Sequence, residues 1–410
     1  MIKNLIILLL LVINSNADWL VKNKFGRNID TAVDNTYKYM DKLSNDKGIG
    51  EYDYRYKFGA HISGDMAYID IAPTYYEPDG TSFDYELRRF RVYYKGSFFD
   101  KKFFHELEYS FTGPNQYKDI LLGYKDKVKL LDHKIKYRAK VGNIKVPFGL
   151  EGYTSSKYNT FMERSLTDSF SENRMLGGEL LLNTNFNKEH YVNLFLGAFE
   201  NSLDENIDNE PDTQKYALRS TYGYLFGKNH LLSLGASYLH KEMNGENVKY
   251  DQRAEAHLIR DEFVSIKVKD VKTADNLGLE ALYIYKRYSL QAEYVKSSLD
   301  ALEDDYTFDA YYLQGSYFLT KHKRKYKLSN STITKVKTKK SAVEAAIRYS
   351  HIDLNDKDET GGTQTDINYG MNFYINSETR IMVNYVTSWI DSDDYEGYLH
   401  LVEARLQLAF

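Results

Sequence analysis

The last nine residues identify the element from which this chain is built. From Val402 to Phe410, one side of an extended backbone carries Val402, Ala404, Leu406, Leu408 and Phe410, and the other carries Glu403, Arg405 and Gln407. Successive side chains of a strand point to opposite faces, so a period of two marks a β-strand with one apolar face. The same alternation recurs upstream, in Tyr369, Met371, Phe373 and Ile375, in Ile381, Val383 and Tyr385, in Tyr288, Leu290, Ala292 and Tyr294, and in Phe90, Val92 and Tyr94. A soluble sandwich alternates too, but its apolar face packs a core. Here strands of about ten residues fill nearly the whole chain, and tyrosine repeatedly ends the apolar face. That layout predicts an all-β fold, a transmembrane antiparallel β-barrel with an apolar band outside, aromatic girdles at both edges and a polar lumen. Tyrosine outnumbers the other aromatics, 38 against 21 phenylalanines and two tryptophans. Its ring is apolar and its hydroxyl reaches the headgroups, which suits a girdle.

Residues 1–17 read as a secretory signal peptide, with Lys3, an apolar run from Leu5 to Ile13, and the small-residue end Ser15-Asn16-Ala17. About nine apolar residues are too few to span a bilayer. Cleavage near Ala17 leaves an N-terminal periplasmic segment, 18–51, and a barrel domain, 52–410. The expected location is the bacterial outer membrane, with outer-membrane lipid and lipopolysaccharide around the barrel. The absence of cysteine excludes a disulfide framework, a thiolate nucleophile and a cysteine metal cluster. A net charge of −4 lacks the basic excess of a general nucleic-acid binder.

Strands are predicted at 52–72, 85–95, 103–112, 117–125, 134–146, 177–186, 191–199, 215–226, 231–240, 277–286, 288–297, 309–319, 341–351, 367–375, 380–388 and 398–410. Sixteen satisfies the even number of single-chain bacterial barrels, provided 52–72 is one strand with a glycine bulge near Gly59 or Gly64. Working back from Phe410 puts short turns at 187–190, 227–230, 286–288 and 376–378 on the periplasmic side. Long loops at 148–176, 200–214, 241–276, 298–308, 352–366 and 389–397 then lie outside. The lysine-rich connection 320–340 is long yet periplasmic, and is expected to be a solvated loop.

Inward positions from the alternation include Arg55, Lys57, Arg89, Arg91, Lys95, Lys136, Arg138, Lys140 and Arg219. Rings of arginine and lysine favour anions, and arginine's planar fork matches phosphate oxygens. Inward acids oppose them: Glu106, Glu108, Asp119, Glu179, Glu280, Glu293 and Glu344. The outer loops are acidic as well, notably at Asp204 to Asp212 and Asp391 to Glu396. No cofactor or metal is expected. Asp353, Asn355, Asp356 and Asp358 miss the calcium-loop spacing, and there is no H-x-x-x-H pair or G-x-S-x-G nucleophile motif.

Leu87-Arg88-Arg89-Phe90-Arg91-Val92-Tyr93 and Phe104-His105-Glu106-Leu107-Glu108-Tyr109 resemble segments of the phosphate-selective porin O/P family. The block Val141-Gly142-Asn143-Ile144-Lys145-Val146-Pro147-Phe148-Gly149, continuing through Thr154-Ser155-Ser156-Lys157 and Met162-Glu163-Arg164, is the more specific match. The resemblance implies a sixteen-stranded homotrimer and a loop, about Pro147 to Phe170, folded inward as a constriction bearing Lys157 and Arg164. It also implies that Phe410 is an assembly signal for the outer-membrane insertion machinery. Gly152 stands where the family has a lysine. The expected function is passive diffusion of small anions such as phosphate or polyphosphate. A non-selective general diffusion porin is the alternative, and a barrel enzyme or adhesin a more distant one.

Overall fold

The computed structural model describes residues 47–49, 54–71, 80–130, 133–207, 213–227 and 229–410. The expected signal peptide and the 18–51 segment, apart from Lys47–Ile49, lie outside these residues. Sixteen antiparallel strands close into one barrel. They are β1 (Tyr54–Ile71), β2 (Gly80–Phe98), β3 (Phe103–Ser110), β4 (Tyr117–Leu130), β5 (His133–Lys145), β6 (Arg174–Asn185), β7 (His190–Phe199) and β8 (Gln214–Leu225). The second half holds β9 (His230–Gln252), β10 (Val264–Tyr285), β11 (Tyr288–Ala301), β12 (Asp305–Phe318), β13 (Ala342–Asp356), β14 (Glu359–Tyr374), β15 (Thr379–Asp391) and β16 (Glu396–Ala409). Each pairs with its chain neighbour, and β16 closes on β1 in the register Leu399↔Ile71 to Ala409↔His61. Closure matters because an unpaired edge would leave backbone donors and acceptors without partners in hydrocarbon. Among the described residues no helix is long and apolar enough to cross a membrane.

The alternation read from the sequence sorts the two faces. Leu87, Leu122, Val141, Leu279, Leu290 and Leu313 point outward and are exposed, whereas their neighbours Arg89, Glu280, Gln291 and Gln314 point in and are buried. The bulge is real, but its extra residue lies on β2. Ser63 faces Arg89 and Asp65 faces Glu86, so Gly64 alone opposes Leu87 and Arg88. Leu87 stays outside while Arg88 and Arg89 both turn into the lumen, where they reach the same carboxylate, Glu163. A regular strand would have sent one of two successive residues into the membrane.

Two of the expected long loops are mostly strand. β9 and β10 continue as a paired ribbon to Gln252 and Val264, leaving only 253–263 between them, and β13 and β14 are joined by a tight turn at 357–358. The sequence reading stopped too early there because the ribbon leaves the membrane and loses its apolar outer face. Inside, Val248, Tyr250, Val264, Ile266, Phe308, Ile352 and Leu354 form a buried cluster at the long-hairpin end. The 319–341 connection is also no free loop. It carries a small hairpin, Lys325–Lys327 with Thr332–Thr334, and enters the barrel from the short-turn end. Ile333 and Val336 are buried there, and Asn193 donates to the Leu328 carbonyl and to Ser331 Oγ, both at 2.8 Å.

Candidate functional site

The segment between β5 and β6 folds into the lumen, with most of its backbone anchors on β11, β13, β15 and β16. Gly149 takes φ 63°, a left-handed conformation that turns the chain, and a Cβ there would meet the Glu293 carboxylate at 2.6 Å. The turn aims the Leu150 and Glu151 amides at that carboxylate, 2.7 and 2.8 Å away, at the start of a one-turn helix, Leu150–Tyr153. Glu151 in turn accepts from the Ser165 amide and hydroxyl at 2.9 and 2.8 Å. Four guanidinium groups then grip successive carbonyls of the segment. Arg324 donates to Tyr158 at 3.0 Å, Arg380 to Asn159 at 2.7 Å, Arg405 to Met162, and Arg348 to Glu163 at 3.2 Å. Each of these arginines is buried, and three carry a carboxylate: Arg324 with Glu344, Arg348 with Glu255, Arg405 with Asp65. Buried guanidinium–carboxylate pairs are tolerated when every proton finds an acceptor, and the carbonyls supply the remainder.

The opposite wall, β2 to β6, is left facing a cavity of about 260 Å³. Seven cations line it: Arg88, Arg89 and Arg91 of β2, Lys118 of β4, Lys145 of β5, Arg174 of β6, and Arg164 of the inward segment. Two carboxylates, Glu163 and Asp168, line it with them. Burial alone would raise Glu163, but Arg88, Arg89 and Arg405 hold it well below the usual carboxylate range, so it stays ionised. Arg164 pairs with Asp168 at 3.0 Å, and Arg174 with Asp119 at 2.9 Å. Lys118 and Lys145 donate only to carbonyls, of Asn115 and of Gly152 and Thr154. Arg91 has no hydrogen-bond partner among the described residues, and Arg89 Nε and Nη1 are buried and unpaired. The inward loop 253–263 narrows the mouth above: His257 Nδ1 lies 2.7 Å from Glu86 of β2, while Glu255 reaches Arg348. Burial pushes the Glu255 carboxyl up to about 7 despite that arginine.

The sequence model described as phosphate-selective porin O and P matches residues 57–410. The chain belongs to that family. Porin O of Pseudomonas aeruginosa is 24% identical over 315 residues, covering 66% of this chain and 70% of that one. An uncharacterized protein of Caulobacter vibrioides is 27% identical over 337 residues, 76% of this porin and 64% of its relative. OmpT, an outer membrane protein of Vibrio cholerae, shares the barrel at a TM-score of 0.51 and 11% identity, over 88% of this chain and 100% of that one. The porin is therefore an outer-membrane barrel of a channel-forming family.

Within this porin the residues read from the alternation part into two groups. Arg89 and Arg91 line the cavity, joined by Arg164. Lys157 sits lower on the segment, its ammonium 4.1 Å from the Tyr93 ring, which also lies 4.8 Å from Lys95 and 6.0 Å from Lys57. Lys95 is ion-paired with Glu106; Lys140 and Arg138 share Glu179 at 3.0 and 3.5 Å. Lys136 is exposed beyond them. Arg219 stands apart: it faces inward but is fully buried, forked onto Glu280 at 2.8 and 2.7 Å and capped by the Ser331 carbonyl. Glu106, Glu108 and Asp119 bring carboxylate oxygens within 4.8 Å of one another, and Lys95 and Arg174 pair two of the three. Phe410 completes the closing seam, its amide donating to the Ala60 carbonyl at 3.1 Å and its carbonyl accepting from Ala60 and Tyr93.

Sequence reasoning missed Arg88, Lys118, Lys145, Lys125 and Lys127. The first was hidden by the bulge and the third by its place at a strand end. Lys125 and Lys127 face Arg138 and Lys136 across β4 and β5. Their alternation with Tyr124, Asp126 and Val128 was visible, and extending that strand to Leu130 finds them. Lys327, on the small hairpin, completes this lower group: burial, with Arg138, Lys125 and Lys95, draws its ammonium down from the ordinary lysine range.

Proposed function

We propose that this porin is a passive diffusion channel that prefers small anions, with phosphate and polyphosphate among them. The observation that carries the reading is the cavity wall, where seven cations stand against two carboxylates and Arg91, Lys118 and Lys145 form no ion pair among the described residues. Fixed positive charge in a narrow polar passage raises the local anion concentration and repels cations. The lower group extends the same sign toward the periplasmic exit. Arg88, Arg89 and Arg91 line this cavity, and a planar guanidinium fork matches the oxygens of an oxyanion. Transport of this kind needs weak binding and release and no bond-making residues, so the reading is a channel and not an enzyme.

The same proposal includes a signal peptide at 1–17 cut near Ala17, a periplasmic segment 18–51 and a barrel from 52 to 410. It also includes homotrimeric assembly among outer-membrane lipid and lipopolysaccharide, with Phe410 read by the insertion machinery. A general diffusion pore is the second reading. It draws on Glu106, Asp119 and Glu179, which neutralise Lys95, Arg174, Lys140 and Arg138. Reversal potentials of the purified porin in planar bilayers under a KCl gradient separate the two. An anion-preferring potential that weakens as phosphate blocks the chloride current supports the first reading. A potential near zero supports the second, and a cation-preferring one defeats the first.

A further inference from the structure

The periplasmic end carries a second basic surface that the channel does not use. Lys286 and Arg287 form the β10–β11 turn, and the connection after β12 brings Lys321, Lys323, Lys325 and Lys337 beside them. Together they line an open recess of about 550 Å³ with no carboxylate on its wall among the described residues. Lys323 is steadied by Asn229 of the β8–β9 turn at 3.0 Å. Lys286, Arg287, Lys321, Lys325 and Lys337 form no ion pair with a carboxylate among the described residues, although acids are plentiful elsewhere in the chain.

The recess is continuous with the membrane-facing surface. The Arg287 guanidinium lies 5.0 Å from the Tyr317 ring and donates to the Leu319 carbonyl at 3.4 Å. The Lys286 ammonium lies 4.8 Å from the Tyr285 ring. Tyr317 packs against Tyr288 with centroids 4.6 Å apart and the rings tilted by 35°, and Tyr288 and Leu319 are exposed on the outer face of the barrel. The cations thus begin at the tyrosine girdle, at headgroup depth, and extend from there over the periplasmic rim.

We propose that this surface binds the phosphate headgroups of anionic phospholipid in the periplasmic leaflet. The acyl chains then lie along Tyr288, Leu290 and Leu319 while the headgroup enters the recess. A free anion would be better served by a closed pocket with converging donors, whereas this recess is open and its cations reach the lipid boundary. Each basic residue near a membrane surface favours an anionic lipid by roughly fivefold, so several together discriminate it from a zwitterionic one.

The test is native mass spectrometry of the full-length porin released from nanodiscs of equimolar phosphatidylglycerol and phosphatidylcholine. The wild type is expected to retain phosphatidylglycerol in preference by on the order of tenfold or more. The triple variant Lys321→Ser, Lys325→Ser, Lys337→Ser is expected to lose most of that preference, Lys286, Arg287 and Lys323 keeping the remainder, while retaining the heat-modifiable gel mobility of a folded barrel. Equal retention of the two lipids by the wild type overturns the proposal, as does an unchanged preference in a folded triple variant. Displacement of the lipid by excess inorganic phosphate, with the acyl contacts intact, would assign the recess to free anions and overturn it too.

Discussion

Lys157 offers a pH-dependent reading of the anion path. Burial against the β2 wall, with Lys95 and Arg91 nearby, pulls its ammonium down to about 8, while Glu108 and Glu106 pull the other way. The sign follows directly: the group is cationic below that value and neutral above it. At pH 7 about nine-tenths of the channels carry the charge and at pH 9 about one-tenth, a loss of roughly 0.8 of a unit charge. A unit charge acting at about 4 Å through water is worth about 1 kcal/mol, and salt screens little at so short a range. Anion permeability should therefore fall about fourfold between pH 7 and pH 9 and cation permeability rise about as much, so that their ratio falls about fifteenfold. The assay is the reversal potential in a KCl gradient, repeated on Lys157→Arg, whose guanidinium keeps its charge throughout. Other groups, Glu255 among them, titrate in or near this range, and the arginine variant carries them unchanged. The step should appear in the wild type and vanish in the variant. An identical step in both proteins, or no step in the wild type, refutes the placement of Lys157 beside the ion path.

Further predictions come from the two walls. Arg91→Ser or Lys118→Ser should lower anion permeability by up to about fivefold each without weakening the fold, since neither side chain is in an ion pair among the described residues; reversal potentials and thermal melts check both halves. Glu293→Gln keeps one acceptor oxygen but puts its NH2 donor against either the Leu150 or the Glu151 N–H, and should cost the inward segment about 1–3 kcal/mol of anchoring. Single-channel records should then show larger and noisier conductance from an intact barrel. Arg405→Met strands the buried carboxylate of Asp65 and removes one of the cations around Glu163. It should destabilise the barrel by about 3–5 kcal/mol in urea titrations, and adding Asp65→Asn should recover part of the loss.

How much was legible depended on whether a feature was periodic. The sixteen strands, their order and their two faces follow from alternation, because a pleated backbone converts sequence parity into inside and outside. Arg89, Arg91, Lys95, Arg138 and Lys140 were assigned to the lumen by that parity alone. Arg88 was not, because a bulge breaks parity at one residue. The ribbon beyond His240 and Leu277 was read as loop, since outside hydrocarbon its outer face no longer needs to be apolar. The connection 320–340 looked solvated because its lysines hide the few residues, Arg324, Ser331, Ile333, Val336 and Thr338, that are buried.

Parity could not tell which inward charges remain available. Arg91, Arg219 and Arg405 occupy equivalent inward positions in the pattern, each following an outward apolar residue, Phe90, Leu218 and Ala404. In the folded barrel Arg219 is consumed by Glu280, Arg405 by Asp65 and Glu163, and Arg91 is left facing the cavity. The sequence alone determined a closed barrel with an apolar exterior and a charged interior, because each strand's outer face answers to the bilayer locally. The tertiary structure decided where its positive charge is unspent, because pairing depends on which strands face each other across the lumen and where the inward segment lies.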